Sequence, residues 1–375
     1  MNFAKLDAFL ADMPHRGYPA CELAITKDGK TVYHKAIGHS DAALTKPAAP
    51  GDLYWIYSCT KVITCIAAMR LVEEGKIALD DPVSKYLPEY ENLMIKQADG
   101  TLVPAQNTMT ILHLFTMTGG KTHEITDTIK AAYAPDATTL DIVRAMAKDP
   151  LIFEPGTHYR YSLCHDVLGA VIEVASGMRL SEYMQKFIFA PLGIKEMGFR
   201  PTPEQLARFS AMYTIKGSAH TPVERTCENV LAFTPQYDSG GAGLLSTVEE
   251  YLKIITVIAC GGTTADGYTL LKPETIRMMQ ENRLPPAALN DFVTTRHFGY
   301  GWGLCGRVHI DPIRSLSLSP VGEFGWSGAT GSFSMIDPDN HVALFFATHL
   351  FGCTYGYHMI QPTLRNLTYE CLRIE

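Results

Sequence analysis

Apolar positions along this chain switch between two periods, and the switches mark its elements. Residues 1–13 carry them at helical spacing with acids between, which predicts an amphipathic helix. Residues 21–27 and 30–37 alternate instead, on either side of Asp28-Gly29. That dipeptide between alternating runs predicts a tight hairpin. Val62, Ile66, Met69, Leu71 and Val72 return to helical spacing, with apolar residues on both faces. A buried helix is expected there, entered from Trp55-Ile56-Tyr57 and stopped at Gly75.

Past Ile77 the pattern changes. Residues 110–120 predict a short buried helix ended by glycines, and residues 140–147, 166–175, 180–189 and 247–260 each show helical periodicity. Strand-like runs are scarce. Alternation returns at 298–304, and residues 333–336 and 342–347 read as strands around Asp337-Pro338-Asp339-Asn340. Residues 357–372 predict a closing helix. The expected plan is α+β: an antiparallel sheet built from both chain ends, flanked by N- and C-terminal helices, with a mostly helical lobe inserted. In residue terms, 1–76 and 261–375 form the sheet lobe and 77–260 the helical lobe. A cleft between two lobes is a common place for a site.

Composition narrows the partners. The 375 residues carry a formal net charge of −7, which argues against a nucleic-acid binder. No run approaches the ~20 apolar residues of a membrane span. Nine cysteines show no metal-type pairing, and the start of the chain does not read as a secretory signal. Reduced thiols in the cytoplasm are the expectation. No cofactor and no metal are expected.

The first chemical signal is Lys61. A lysine entering a buried helix is costly unless something uses it. Ser58 lies three residues earlier, so on a helix the two side chains share a face. At the helix N-terminus, free N–H groups favour a developing anion. A serine nucleophile needs such a setting: an amine to take its proton and donors for an oxyanion. The alternative is a capping serine followed by a snorkelling lysine.

Two further stretches accompany Ser58-Cys59-Thr60-Lys61: Tyr159-Arg160-Tyr161-Ser162-Leu163, and Gly325-Trp326-Ser327-Gly328-Ala329. In this order the chain resembles the serine β-lactamase and penicillin-binding-protein superfamily, nearest to class C β-lactamases and family VIII carboxylesterases. Supporting stretches are 79–88, 110–120 and 240–247, and the resemblance runs from about Tyr18 to Pro362. It implies Ser58 as the acylated nucleophile and Lys61 as a participant in its deprotonation. Tyr161 would relay the proton to the leaving group. The backbone N–H groups of Ser58 and Ala329 would form the oxyanion hole. Trp326, Ser327, Gly328 and Leu163 would contact substrate.

Two departures shape the expected substrate. Leu163 stands where the second motif usually has Asn, so an amide that contacts the lysine and the substrate is missing. Trp326 opens the third motif where β-lactamases have Lys, which removes a cation for a β-lactam or peptide carboxylate and offers an apolar wall. These changes favour neutral Lys61 as the base, Tyr161 as a protonated relay, and small or medium carboxylic esters as substrates. A β-lactamase or D-amino-acid peptidase, an acyltransferase and an inactive binding relative are the other readings. Cys59 is a weak rival nucleophile, because on a helix it points about 100° away from Ser58. His113, His123, His158 and His165 match no zinc spacing.

Overall fold

The Asp28-Gly29 turn shows how local chemistry starts the sheet. Both residues take positive φ, 52° and 74°, as a two-residue turn matched to strand twist requires. They join β1 (Ala20–Lys27) to β2 (Lys30–Gly38). Five late strands complete the sheet: β3 (Tyr300–Gly303), β4 (Gly306–His309), β5 (Phe324–Gly325), β6 (Phe333–Asp337) and β7 (Val342–Ala347). The order is β2-β1-β7-β6-β5-β4-β3, and every pairing is antiparallel. Both chain ends therefore build one sheet, with β1 lying against β7. The computed structural model describes residues 1–216 and 221–374; residues 217–220, within the expected 77–260 segment, and Glu375 lie outside it.

Each strand's two-residue period divides its side chains between two cores. Leu23, Ile25, Leu344 and Phe346 face α1 (Ala4–Ala11) and the closing helix. Ala24 and Phe345 face the larger core, which contains α2 (Thr60–Glu73). With both faces covered, β1 is buried along nearly its whole length. The helix Val248–Ala259 packs on β1, β6 and β7, so the sheet's packing reaches back across residue 260. α2 is buried from Thr60 to Met69, and the chain leaves it through Gly75 at φ 66°.

Two hairpins interrupt the stretch where helices were expected. Met94–Lys96 pairs with Leu102–Pro104, and Met212–Lys216 pairs with Thr221–Arg225. Three to five residues per strand are too few for alternation to stand out. Leu102 and Val103 are moreover exposed, so burial does not impose a polar face on them. The closing helix is also divided. A wide π-type turn, Gly356–Ile360, precedes the regular helix Gln361–Leu372. No helix among the described residues is long and apolar enough to cross a membrane.

Candidate active site

Tyr57 has φ 43°, a left-handed conformation unusual for an aromatic residue. It turns the chain out of the short strand Tyr54–Trp55 into one helical turn, Tyr57–Cys59, which runs into α2. Backbone strain of this kind persists only where the surroundings over-determine it. Here it places Ser58 at a cavity wall and Lys61 beneath it, 2% exposed. Lys61 Nζ lies 3.3 Å from Ser58 Oγ and donates to the Gly241 carbonyl at 2.7 Å. It also sits 4.8 Å from the centre of the Tyr161 ring, within cation–π range.

The Gly240–Gly243 turn thus orients the lysine. A Cβ on Gly241 would come within 2.4 Å of Asp166 Oδ2 and 3.3 Å of Lys61 Nζ. Only glycine fits. Asp166 Oδ1 holds the turn from below, accepting from Tyr237 Oη, Ser239 Oγ and the Gly241 N–H at 2.7, 2.6 and 3.3 Å. Asp166, Tyr237 and Ser239 have no motif that marks them in the sequence; helix packing alone brings them here.

Tyr161 stands between two rings. His123 stacks on it at 5.4 Å, and Trp326 lies tilted at 5.5 Å. Burial above all holds His123 below the usual imidazole range. Trp326 Nε1–H donates to Tyr161 Oη at 3.1 Å. The indole is therefore a hydrogen-bond donor to the tyrosine as well as the apolar wall expected of it. Trp302 braces it edge-on at 4.4 Å.

The third motif is held against the Ser58 turn by absence of bulk. A Cβ on Gly328 would lie 2.4 Å from the Ile56 carbonyl. Tyr357 Oη donates to the carbonyls of Gly328 and Ala329 at 3.0 and 3.1 Å. In a trans peptide the Ala329 N–H then points away from Tyr357. That N–H has no partner among the described residues. Ser58 lies in the first turn of its helix, where N–H groups lack intrahelical partners. Ser327 Oγ donates to Gln361 Oε1 at 2.7 Å, tying the motif to the closing helix. Tyr357 and Gln361 went unrecognised in the sequence, where a polar residue on an amphipathic helix carries no signal of its own.

Ser58, Tyr161, Trp326, Ser327, Gly328 and Ala329 all line one cavity of about 760 Å³. Leu163 does not. It packs in the larger core, its N–H bonded to the Thr122 carbonyl. Cys59 is fully buried, its thiol donates to the Trp326 carbonyl, and burial pushes its pKa up. Among the histidines, His165 is buried and held down to about 3 by burial and by Lys61. His158 pairs with Asp291 away from this group. No cluster of metal-ligating side chains occurs among the described residues.

Known proteins share this plan. The beta-lactamase family model matches residues 6–354. Esterase EstB of Burkholderia gladioli is 28% identical over 360 residues, covering 89% of this chain and 87% of EstB. An Escherichia coli K12 protein named "Putative D-alanyl-D-alanine carboxypeptidase" is also 28% identical, over 367 residues, 91% of this chain and 80% of that one. The solved structure of EstCE1, "a hydrolase with promiscuous acyltransferase activity", superposes with a TM-score of 0.80 at 24% identity, covering 98% of each chain. With a family match across most of its length and the fold that goes with it, this chain belongs to the beta-lactamase family.

Proposed function

We propose that this chain is a serine hydrolase that forms an acyl-enzyme on Ser58 and hydrolyses small or medium carboxylic esters. Membership of a hydrolytic family carries the general class. The observation that supports the specific reading is the approach of Lys61 Nζ to Ser58 Oγ at 3.3 Å, with Tyr161 against the same amine. Lys61, as free amine, takes the Ser58 proton while Oγ attacks the ester carbonyl. The Ser58 and Ala329 N–H groups receive the oxyanion. When the C–O bond breaks, the alkoxide leaves with a proton relayed through Tyr161 Oη from Lys61. Water then enters by the same route in reverse and releases the acid.

Residues 1–76 with 261–375, and residues 77–260, are proposed to act as two lobes of one catalytic unit. A cytoplasmic setting fits the nine cysteines, all unpaired. Trp326 supplies no charge beside the reacting centre, which sets esters above β-lactams as substrates. The test compares 4-nitrophenyl butyrate with nitrocefin under one buffer condition. A higher kcat/KM for the ester is expected; faster, efficient opening of nitrocefin would favour a β-lactamase instead. Hydrolysis of a D-alanyl-D-alanine peptide in preference to both would favour the peptidase reading.

A further inference from the structure

The cavity that holds Ser58 is also lined by a cluster of cations. Arg296, Arg307, Arg314 and Arg365 line it, with His358, and no aspartate or glutamate does. Two of the arginines are buried, Arg307 at 4% and Arg365 at 5% exposure. Arg307 projects from β4, opposite Gly325, and Arg365 from the closing helix. Both guanidinium groups lie over the same two rings, Tyr300 and Phe333, at 5.1 to 5.4 Å. They are therefore close neighbours of like charge.

One carboxylate answers both. Arg307 Nη2 donates to Glu323 Oε1 at 2.8 Å. Arg365 Nε is 3.5 Å from Glu323 Oε2, an ion-pair distance without a hydrogen bond, while its Nη1 donates to Tyr300 Oη at 2.5 Å. The next acid, Asp337, accepts from Tyr369 and Asn340, and burial holds its pKa up. Arg307 Nη1 is buried with no partner. Arg296 and Arg314, exposed at the cavity wall, form no ion pair among the described residues. An uncompensated buried charge is costly, and a bound anion offsets that cost. The field reaches the nearby His297: burial, then Arg307, His358 and Arg365 among its neighbours, hold it down to about 4.

We infer that this cluster is an anion subsite, and that the preferred substrate is an ester whose acyl chain ends in a carboxylate several bonds from the reacting carbonyl. This rests on the hydrolase reading above. The arginines bond to Tyr300 and Glu323, not to Ser58, Lys61 or Tyr161. The cation absent at Trp326 is thus supplied from other elements of the same cavity, β4 and the closing helix. A cephalosporin carries its carboxylate beside the scissile amide and cannot use that position. A hemiester of a dicarboxylic acid can.

Wild-type protein is compared on mono-4-nitrophenyl adipate and 4-nitrophenyl hexanoate, which match in chain length and differ by the terminal carboxylate. The adipate is expected to show a kcat/KM about tenfold higher or more, the range of a charge-assisted hydrogen bond. In Arg307→Met the ratio should fall toward one. Arg314→Gln, at an exposed position, should lower it in part and serves where the buried substitution unfolds the protein. Independently of turnover, adipate should raise the Tm of wild type and of Ser58→Ala, while hexanoate and inorganic phosphate should not. Cleavage of neither ester, with adipate still raising Tm, would defeat the hydrolase reading and leave the anion subsite standing. Equal or slower cleavage of the adipate, with no adipate-dependent rise in Tm, overturns the subsite and leaves hydrolysis intact. A rise with phosphate and none with adipate overturns the carboxylate assignment.

Discussion

Replacing Trp326 with Phe removes one atom pair of consequence: the indole N–H that donates to Tyr161 Oη at 3.1 Å. Phe keeps an aromatic ring between Tyr161, Trp302 and His297, so most of the packing survives. In the resting enzyme the lost bond is neutral to neutral, about 1 kcal/mol. When Tyr161 gives its proton to a departing alkoxide, its oxygen gains negative charge, and the same donor is then worth about 1.5–3 kcal/mol. That difference between ground and transition state slows the step. The difference, about 0.5–2 kcal/mol, means that Trp326→Phe should lower kcat/KM on ethyl butyrate by about 2–30-fold. A 4-nitrophenolate leaves without a proton, so the bond stays neutral in both states and 4-nitrophenyl butyrate should cleave at close to the wild-type rate. The assay is the pair of ratios, variant to wild type, on the two esters. Equal losses on both would mean that the indole only packs, and would refute the relay through Tyr161.

Lys61→Ala should slow acylation by the ~10²–10⁴-fold typical of general acid–base groups, read as the burst rate on 4-nitrophenyl butyrate. Gly328→Ala puts a methyl group 2.4 Å from the Ile56 carbonyl, which must push the third motif off the Ser58 turn. Both Tm and kcat should fall, whereas Gly75→Ala, with nothing within 4 Å of its Cβ but φ 66°, should cost only stability. Acid should destabilise the fold. His165, His297 and His349 are held at about 3, 4 and 4, each mainly by burial, against an ordinary value near 6.5. The unfolded chain then takes up protons that the folded one refuses, so this stability is complete above pH ~6.5 and is lost as pH falls toward 4. Glu173, raised to about 7 by burial, works in the opposite direction between pH 7 and its ordinary 4.5. His113 and His123, lowered by burial, add to the histidine effect, while Glu22 and Asp337, raised by burial, and His34, raised by its bond to Glu22, join Glu173. The three large histidine shifts outweigh the one large carboxyl shift, so Tm should drop between pH 6.5 and 4; a flat or rising profile would contradict these burial assignments.

Much of the scaffold was legible because local rules and tertiary packing agree. The hairpin at Asp28-Gly29, the stop of α2 before Gly75 and the strands Phe333–Asp337 and Val342–Ala347 each follow from a turn residue or a period. Thr247 caps its helix through its hydroxyl, as its position ahead of an apolar run suggests. What stayed hidden depends on approach between distant segments. Gly241 looks like any turn glycine until Asp166 and Lys61 are found where its Cβ would be. Trp326 reads as an apolar wall because composition reports the ring and not where the N–H points. Leu163 occupies a motif position yet points into the core, since a leucine at a helix start gains more from apolar packing than from a cavity wall. Arg307 and Arg365 lie far apart in the chain and meet only because β4 and the closing helix share one face of the sheet.

Intact-mass and peptide-mapping analysis of the native protein after reaction with a fluorophosphonate probe tests the assignment of Ser58 most directly. One phosphonyl group per chain is expected, on the peptide that carries Ser58. Ser58→Ala should take no label, and Cys59→Ala should label at close to the wild-type rate. A chain that takes no label, or label that survives in Ser58→Ala and vanishes in Cys59→Ala, would contradict it.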